Sequence, residues 1–168
     1  MAKMELSSNT SNESLIAIEG LDGSGKTTLL AKMRESLIKM GYKVICSKEP
    51  GNNVAVIVLS DRYYLSGLAY HYVDGISFED YAYLNRKVVK PNIYIFLNVD
   101  LTTALKRIKK PRDRWESIID KVYYAYLDAI KFLEQKERAI IYTINANKSI
   151  SSVFHSALEI LKQERVIS

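Results

Sequence analysis

The chain has 168 residues, 48% of them apolar and 26% charged, which fits one folded domain with an ordinary core. It contains no run of about 18 uninterrupted apolar residues, so a membrane-spanning helix is excluded. The single cysteine, Cys46, cannot form an intramolecular disulfide, and two histidines give little basis for a structural zinc site. The N-terminus has no apolar signal segment, and we therefore expect a cytoplasmic location.

Positive charge is concentrated in one stretch. The chain has a net charge of +5, and nine basic residues against two acidic ones lie between Arg86 and Arg114. Such a patch attracts polyanions, either nucleic acid or the phosphates of a nucleotide. A solvated helix end is the alternative interpretation.

Apolar runs alternate with helical periodicity along the chain. A polar leader (1–14) precedes a strand over 15–19 and a helix over 26–40, and two further strands follow at 43–47 and 54–59. Next come predicted helices over 61–73 and 77–89, a strand over 93–99 and a helix over 101–109. A long helical stripe over 115–133, a strand over 139–144 and a helix from 150 to 161 complete the pattern. Strands that are apolar throughout indicate an α/β domain over 15–168, with a mainly parallel five-stranded sheet covered on both faces.

The segment from Gly20 to Thr27, GLDGSGKT, fits the pattern G-x-x-x-x-G-K-[ST] between a strand and a helix. Glycines allow successive backbone N–H groups to surround a phosphate, and the following helix adds its positive end. Lys26 would reach the β- and γ-phosphates, and the Thr27 hydroxyl would bind Mg²⁺. A glycine-rich turn without a ligand is the alternative.

An acidic–basic pair follows the third predicted strand. Asp61 stands where a second Mg²⁺ ligand belongs in such folds, and Arg62 would supply a planar donor for a phosphate. The alternative is an aspartate that caps a helix beside a surface arginine. The phosphate-binding loop upstream favours the functional interpretation.

Several segments, taken in order, resemble the thymidylate kinases. They are AIEGLDGSGKTT, KEPG (48–51), SDRYYLSGLAYH (60–71), RKVVKPNIYIFLNVD and DRWES (113–117). The resemblance runs from about Leu15 to the last helix. It implies a P-loop kinase fold with three α/β/α layers and transfer of the ATP γ-phosphoryl group to thymidine monophosphate, with Mg²⁺ required. It also implies a homodimer, and nucleic acid is not expected as a partner.

The resemblance assigns roles to individual residues. The catalytic set would be Lys26, Asp61, Arg62 and two arginines of a short lid around 109–115, Arg112 and Arg114, with Arg107 behind them. Tyr70 would pack beneath the deoxyribose, and Thr27 and Asp61 would bind Mg²⁺. ATP would contact Gly20, Asp22, Gly23, Ser24, Gly25, Lys26, Thr27, Thr28 and Asn145. The acceptor would contact Asp22, Lys48, Glu49, Arg62, Ser66, Tyr70 and His71, with Gly67 near the base.

The match fails in one place. Members of the family have two helices after the Glu-Pro-Gly motif, whereas here only residues 48–53 separate Ser47 from Val54. A parallel crossover normally takes a dozen residues or more. Three explanations are open: the chain lacks the segment, its strands pair differently, for example as a hairpin, or the sequence joins two pieces across an omitted region. We favour the join, which predicts a break in the backbone within 50–55.

Other functions stay open at this stage. The same loop, lid and Asp-Arg pair would serve another deoxynucleoside or nucleoside-monophosphate kinase. A degenerate nucleotide-binding or nucleic-acid-binding protein without transfer activity is a different class, favoured if the helical segment is absent. A GTPase is disfavoured, because Asn147-Lys148 is followed by Ser-Ile and not by the x-Asp that reads guanine.

Overall fold

The computed structural model describes residues 14–47, 57–108 and 114–168. The predicted leader falls outside these ranges except for Ser14. So do the predicted acceptor contacts Lys48 and Glu49 and the lid arginine Arg112. The backbone break predicted within 50–55 also lies outside the described residues, and it stays a prediction.

The described strands form one five-stranded sheet in the order β2-β3-β1-β4-β5, with every neighbouring pair parallel. The central strand, β1, is buried along its whole length, as expected for a sheet covered on both faces. The strands are β1 (Ser14–Gly20), β2 (Val44–Ser47), β3 (Ile57–Asp61), β4 (Ile93–Asn98) and β5 (Ile141–Asn145).

Helices cover this sheet in two groups. They are α1 (Lys26–Lys39), α2 (Tyr64–Val73), α3 (Phe78–Leu84), α4 (Leu101–Arg107), α5 (Arg114–Ser117), α6 (Ile119–Phe132) and α7 (Ile150–Gln163). A π-helical turn, Leu133–Glu137, continues α6. The helix α1 packs against α7, and α2 packs against α6. The predicted three-layer α/β/α fold with a parallel five-stranded sheet is confirmed. None of the helices in the described ranges is long and apolar enough to cross a bilayer.

The parallel pairing of β2 with β3 excludes one explanation for the short connection. Val44 pairs with Ile57 and Ser47 pairs with Ser60, so the two strands point the same way. A hairpin is therefore wrong. Because β3 runs parallel to β1, its carboxyl end, and Asp61 with it, lies at the same edge of the sheet as the phosphate-binding loop.

The registers bring four strand ends together. Ile18 of β1 pairs with Asp61 of β3, and Gly20 pairs with Leu97 of β4. On the other side of β4, Asn98 pairs with Asn145 of β5. In open parallel sheets this carboxyl edge is where ligands bind.

Three predicted helix boundaries are wrong. The helix predicted over 77–89 ends at Leu84, where the Asn85 side chain donates to the Tyr81 carbonyl at 3.0 Å and closes the last turn. The helix predicted from Asp61 begins at Tyr64, since Asp61 still belongs to β3. The stripe over 115–133 is divided at Ile118 into α5 and α6.

Candidate active site

The loop between β1 and α1 depends on glycine conformations. Gly23 has φ +77°, and a Cβ there would lie 2.5 Å from the Ala104 carbonyl oxygen of α4. Gly25, with φ +95°, is the N-cap of α1, so the helix begins directly at Lys26. Larger side chains at these two positions would be strained, and the loop backbone would move out of its turn around the site.

Lys26 is buried at the N-terminus of α1. Its Nζ donates to the Leu21 carbonyl at 2.8 Å and lies 3.9 Å from Asp22 Oδ1. The pKa of Lys26 is lowered to about 8, chiefly by burial and also by the nearby Arg62 charge, while Asp22, Asp61 and Glu19 act in the opposite direction. A desolvated ammonium at a helix N-terminus gains from an added anion.

Thr27 and Asp61 are brought together from different elements. The Thr27 hydroxyl, in the first turn of α1, donates to Asp61 Oδ2 at the end of β3 over 2.8 Å. The structure therefore places Asp61 beside Thr27, the other residue predicted to bind Mg²⁺. A hydroxyl and a carboxylate are hard oxygen ligands of the kind Mg²⁺ prefers. Within the described ranges, no cluster of three or more His, Cys, Asp or Glu side chains forms a self-sufficient metal cage.

Arg62 adopts a left-handed backbone, with φ +66°, directly after β3. Its Nη1 donates to the Gly20 carbonyl at 3.0 Å and to the Tyr126 hydroxyl at 2.8 Å, while Nη2 pairs with Asp22 Oδ1 at 2.5 Å. The guanidinium also lies 5.1 Å from the Tyr70 ring centroid. The arginine is thus held against the phosphate-binding loop by contacts from three sides.

These groups share a cavity of about 700 Å³. Three cationic side chains and two carboxylates face it, a balance that favours an anion bound together with a divalent cation. The lining residues are Asp22, Gly23, Gly25, Lys26, Thr27, Thr28, Asp61, Arg62 and Arg107. A neighbouring cavity of about 210 Å³ shares Gly25, Thr28 and Arg107 with it and extends to Ala146 and Lys148.

Ser24 lies inside the predicted loop and shows an unusual environment. Its side chain is buried, and its hydroxyl makes no hydrogen bond with any described residue. It lines the smaller cavity, beside the N-terminus of α1. Since buried hydroxyl groups are nearly always paired, this one is available to a ligand in the loop.

The residues predicted around the acceptor divide into two groups. Tyr70 is half-buried, and its ring packs edge-on against Tyr126 at 6.1 Å, beside Arg62. Ser66 is buried, with its hydroxyl bonded to Glu19 and Tyr126. His71 is exposed and stacks on Tyr81, 5.2 Å between ring centroids. Tyr70 therefore lies beside the cavity residues, whereas the Ser66 hydroxyl bonds to buried side chains in the interior.

The remaining predicted residues lie at the periphery. Asn145 accepts from the Asn147 amide at 3.0 Å, and the adjacent Ala146 lines the smaller cavity. Arg114 is in α5, and its guanidinium pairs with Asp74 at the end of α2. Arg107 donates to the carbonyls of Ala146, at 3.0 Å, and Gly23, at 3.3 Å. Arg107, predicted to lie behind the lid, therefore lines the cavity, whereas the lid arginine Arg114 does not.

Sequence reasoning missed two residues that contact the site. Tyr126 of α6 bonds to Arg62, Ser66 and the Gly20 carbonyl. Glu19 of β1 is completely buried and bonds to the Tyr63 amide and to Ser66. A charged residue in the apolar run LIAIE was a signal for Glu19. The chain has twelve tyrosines, and Tyr126 lies on an apolar helical stripe, so nothing in the sequence distinguished it as a site residue.

With this geometry established, the chain can be compared with known proteins. A family model described as thymidylate kinase matches residues 18–56 and 53–157. A probable thymidylate kinase of Sulfurisphaera tokodaii is 31% identical over 183 positions, covering 87% of this chain and 94% of the relative. One from Archaeoglobus fulgidus is 28% identical, over 88% and 94% of the two chains. A third, from Staphylothermus marinus, is 24% identical, over 92% and 98%.

The relatives are longer than this chain within the aligned region. The alignment with the Sulfurisphaera protein spans 183 positions, of which about 146 are residues of this chain (87% of 168). About 37 aligned positions of the relative therefore have no counterpart in this chain. The two family matches meet at residues 53–56, in the connection between β2 and β3. This connection has too few residues for a normal crossover between two parallel strands.

Proposed function

Because the chain belongs to the thymidylate kinase family, we propose that it transfers the γ-phosphoryl group of ATP to thymidine monophosphate in a reaction assisted by Mg²⁺. Membership confirms the resemblance read from the sequence and the enzyme class, a nucleoside-monophosphate kinase. The donor, the metal and the acceptor are proposals supported by the geometry of the cavity.

The donor side is supported by the loop and the smaller cavity. The amides of the loop, the Ser24 hydroxyl and the Lys26 ammonium offer donors for the β- and γ-phosphates. The cavity of about 210 Å³ between Thr28, Arg107 and Lys148 would take the nucleoside end. Phosphoryl transfer needs cations that are already in place where charge develops, and Lys26 meets this requirement.

The metal side is supported by the pair Thr27–Asp61. Their oxygens lie 2.8 Å apart at the mouth of the loop, so one ion could contact both together with phosphate oxygens. When bound, Mg²⁺ would offset the negative charge on the β- and γ-phosphates. Asp22, on the same cavity, carries the other carboxylate near this position.

The acceptor side is supported by Arg62 and Tyr70. The guanidinium lines the same cavity as Lys26 and can donate to the acceptor phosphate, and the Tyr70 ring beside it offers a flat surface for the deoxyribose. A 2′-hydroxyl would have to fit against that ring, and we expect this to disfavour ribonucleotides. The sharing of one cavity by Lys26, Thr27, Asp61 and Arg62 is the observation that carries the proposal.

Turnover with ATP across a panel of nucleoside monophosphates tests the proposed reaction. Thymidine monophosphate is expected to give the highest kcat/KM, ahead of the uridine, cytidine and purine monophosphates in both sugar forms. A preference for another monophosphate would replace the acceptor but keep the reaction. Failure with every acceptor would contradict the proposal.

Arg62→Ala is expected to raise the KM for thymidine monophosphate by roughly 10- to 100-fold, the usual effect of losing hydrogen bonds to a charged group. The KM for ATP should change much less, because Lys26 and the loop amides remain. Steady-state kinetics with each substrate varied in turn measures both constants. Arg34→Ala, an exposed arginine on α1, is the matched control. An unchanged acceptor KM in a folded Arg62→Ala protein would refute the assigned role.

Nucleotide binding is expected to take up a proton at pH 8.5. The pKa of Lys26 is about 8 in the free protein because of burial, and phosphate oxygens would raise it. The free lysine is then partly neutral and the bound lysine charged, so ATP binding takes up a fraction of a proton and affinity falls as the pH rises above 8. Calorimetry in two buffers of different ionisation enthalpy measures the uptake. Lys26→Arg, which stays charged, should abolish it, and no uptake by the unaltered protein would contradict the assignment.

A second candidate function is nucleotide binding without transfer. It is favoured if the chain lacks the helices expected between β2 and β3, because the family resemblance places an acceptor-binding aromatic and an arginine in that segment. ATP affinity measured with and without thymidine monophosphate separates the two candidates. A kinase should show coupling between the two ligands, whereas a degenerate protein should show none.

Further expectations from the sequence stay proposals. These are the homodimer, the cytoplasmic location and the lid around 109–115. Arg112 lies outside the described residues, and Arg114 would have to leave Asp74 to reach a transferring phosphoryl group. The acceptor contacts Lys48 and Glu49 are proposed on the resemblance alone.

A further inference from the structure

Glu19 stands out because it is a fully buried carboxylate in the central strand. It is the only buried acidic side chain among the described residues, with an exposed fraction of 0%. Burial raises its pKa, which shows that the surroundings do not fully replace water. Packing alone would be served better by an apolar side chain at this position. Its two oxygens instead accept hydrogen bonds from the Tyr63 amide and the Ser66 hydroxyl, and each of these groups is connected to Arg62.

The first connection runs through the backbone. Glu19 Oε1 accepts from the Tyr63 amide at 2.9 Å, directly after the left-handed Arg62. On the other side of Arg62, its own amide donates to the Ile18 carbonyl at 2.9 Å, and the Ser60 hydroxyl donates to its carbonyl at 2.9 Å. A non-glycine residue with positive φ persists only where its surroundings hold it. Glu19 provides one of these three restraints.

The second connection runs through side chains. Glu19 Oε2 accepts from the Ser66 hydroxyl, and Ser66 lies 2.7 Å from the Tyr126 hydroxyl. Tyr126 in turn accepts from Arg62 Nη1 at 2.8 Å and lies 3.3 Å from the Gly20 carbonyl, which Nη1 also contacts. Both hydroxyl groups are buried, so water does not compete for these bonds. The guanidinium is therefore held by a chain of hydrogen bonds that begins at Glu19.

We propose that Glu19 is a positioning residue: through the Tyr63 amide and through Ser66 and Tyr126 it fixes the Arg62 guanidinium at the rim of the phosphate-binding loop. This inference rests on the proposed function, in which Arg62 binds the acceptor phosphate. Glu19 lies behind Arg62 and does not line the cavity. Its hydrogen bonds lead to Arg62, so the effect expected from breaking them is on the acceptor.

Tyr126→Phe is the main test, because it removes one hydroxyl and keeps the buried ring. The KM for thymidine monophosphate is expected to rise about tenfold, with kcat and the KM for ATP changed less than about threefold. Tyr123→Phe is the control on the same helix, since its hydroxyl donates to Asn98 instead. Ser66→Ala should reproduce the effect of Tyr126→Phe. Glu19→Ala removes the acceptors of both connections and should raise the acceptor KM at least as much as Tyr126→Phe, whereas Glu19→Gln, which keeps an acceptor for the Tyr63 amide, should recover part of that loss. An unchanged acceptor KM in a folded Glu19→Ala protein would overturn the inference.

A double-variant cycle separates positioning from general structural damage. In an Arg62→Ala background, Tyr126→Phe should cause no further rise in acceptor KM, because its effect passes through the guanidinium. Equal fold-changes in both backgrounds would overturn the inference. An unchanged KM in the single variant Tyr126→Phe would also overturn it.

A spectroscopic measurement keeps the inference testable if the enzyme shows no activity. In the unaltered protein, the ¹⁵N signals of the Arg62 guanidinium, identified by their loss in Arg62→Ala, should show slow rotation. Tyr126→Phe and Ser66→Ala should make the rotation of the Arg62 guanidinium faster, and Tyr123→Phe should leave it slow. Inactivity with every acceptor would refute the proposed function alone. Fast rotation in the unaltered protein would refute the positioning role alone.

Discussion

Lys26→Met is expected to lower kcat by about 10³-fold, the largest loss among the variants considered. The ammonium lies at the N-terminus of α1 and faces the cavity with Asp61 and Arg62. As charge develops on the transferring phosphoryl group, this cation stabilises it without solvent reorganisation. The methionine side chain has a similar length and fills the same buried space, so the loss reports charge and not packing.

The fold should survive this substitution. Burial disfavours the charged form of Lys26, and its removal relieves that cost. We therefore expect a melting temperature no lower than that of the unaltered protein, measured beside single-turnover rates. Lys39→Met on the same helix is the control, because Lys39 is exposed and pairs with Glu35, away from the cavity residues. A Lys26→Met protein with near-normal kcat would mean that the loop does not hold the reacting phosphate.

Local chemistry explains why the phosphate-binding loop could be predicted from the sequence. The pattern needs a strand, a glycine loop and a helix in succession. These are the apolar run before Gly20, the glycines and the amphipathic α1, and all of them lie within about 25 residues of the chain. The same holds for β1 and β4, whose apolar residues indicate burial on both faces, whereas the edge strand β5 is only partly buried. The site of Asp61 followed from its position after β3 once the pairing was parallel.

Long-range contacts account for what the sequence did not indicate. Tyr126 meets Arg62 across 64 residues and Gly20 across 106, and nothing in the local pattern of α6 marks it among the other tyrosines. The left-handed backbone of Arg62 is likewise imposed by bonds from β1 and not by its own preference. The end of α3 has a local cause instead: the Asn85 side chain bonds to the Tyr81 carbonyl and ends the helix, although the apolar periodicity continues to Val89.

Asp61→Asn is expected to lower kcat about 10²-fold and to raise the Mg²⁺ concentration that gives half-maximal rate. The amide keeps an oxygen that can accept from the Thr27 hydroxyl, which now bonds to Asp61 at 2.8 Å. What is lost is the negative charge, and with it the preference of this position for a divalent cation. Rates measured over a range of free Mg²⁺ at saturating ATP separate the two effects.

The control and the contradicting result follow from the same geometry. Asp128→Asn removes an exposed carboxylate that pairs with Lys131 on α6, and it should leave the Mg²⁺ dependence unchanged. If excess Mg²⁺ restores full activity to Asp61→Asn, the carboxylate contributes to the affinity for Mg²⁺ but not to kcat. If the Mg²⁺ requirement is unchanged although kcat falls, the carboxylate does not act on the metal. Asp61 would then act through Thr27 and the start of α1, and the metal would depend on Asp22, the other carboxylate on the cavity.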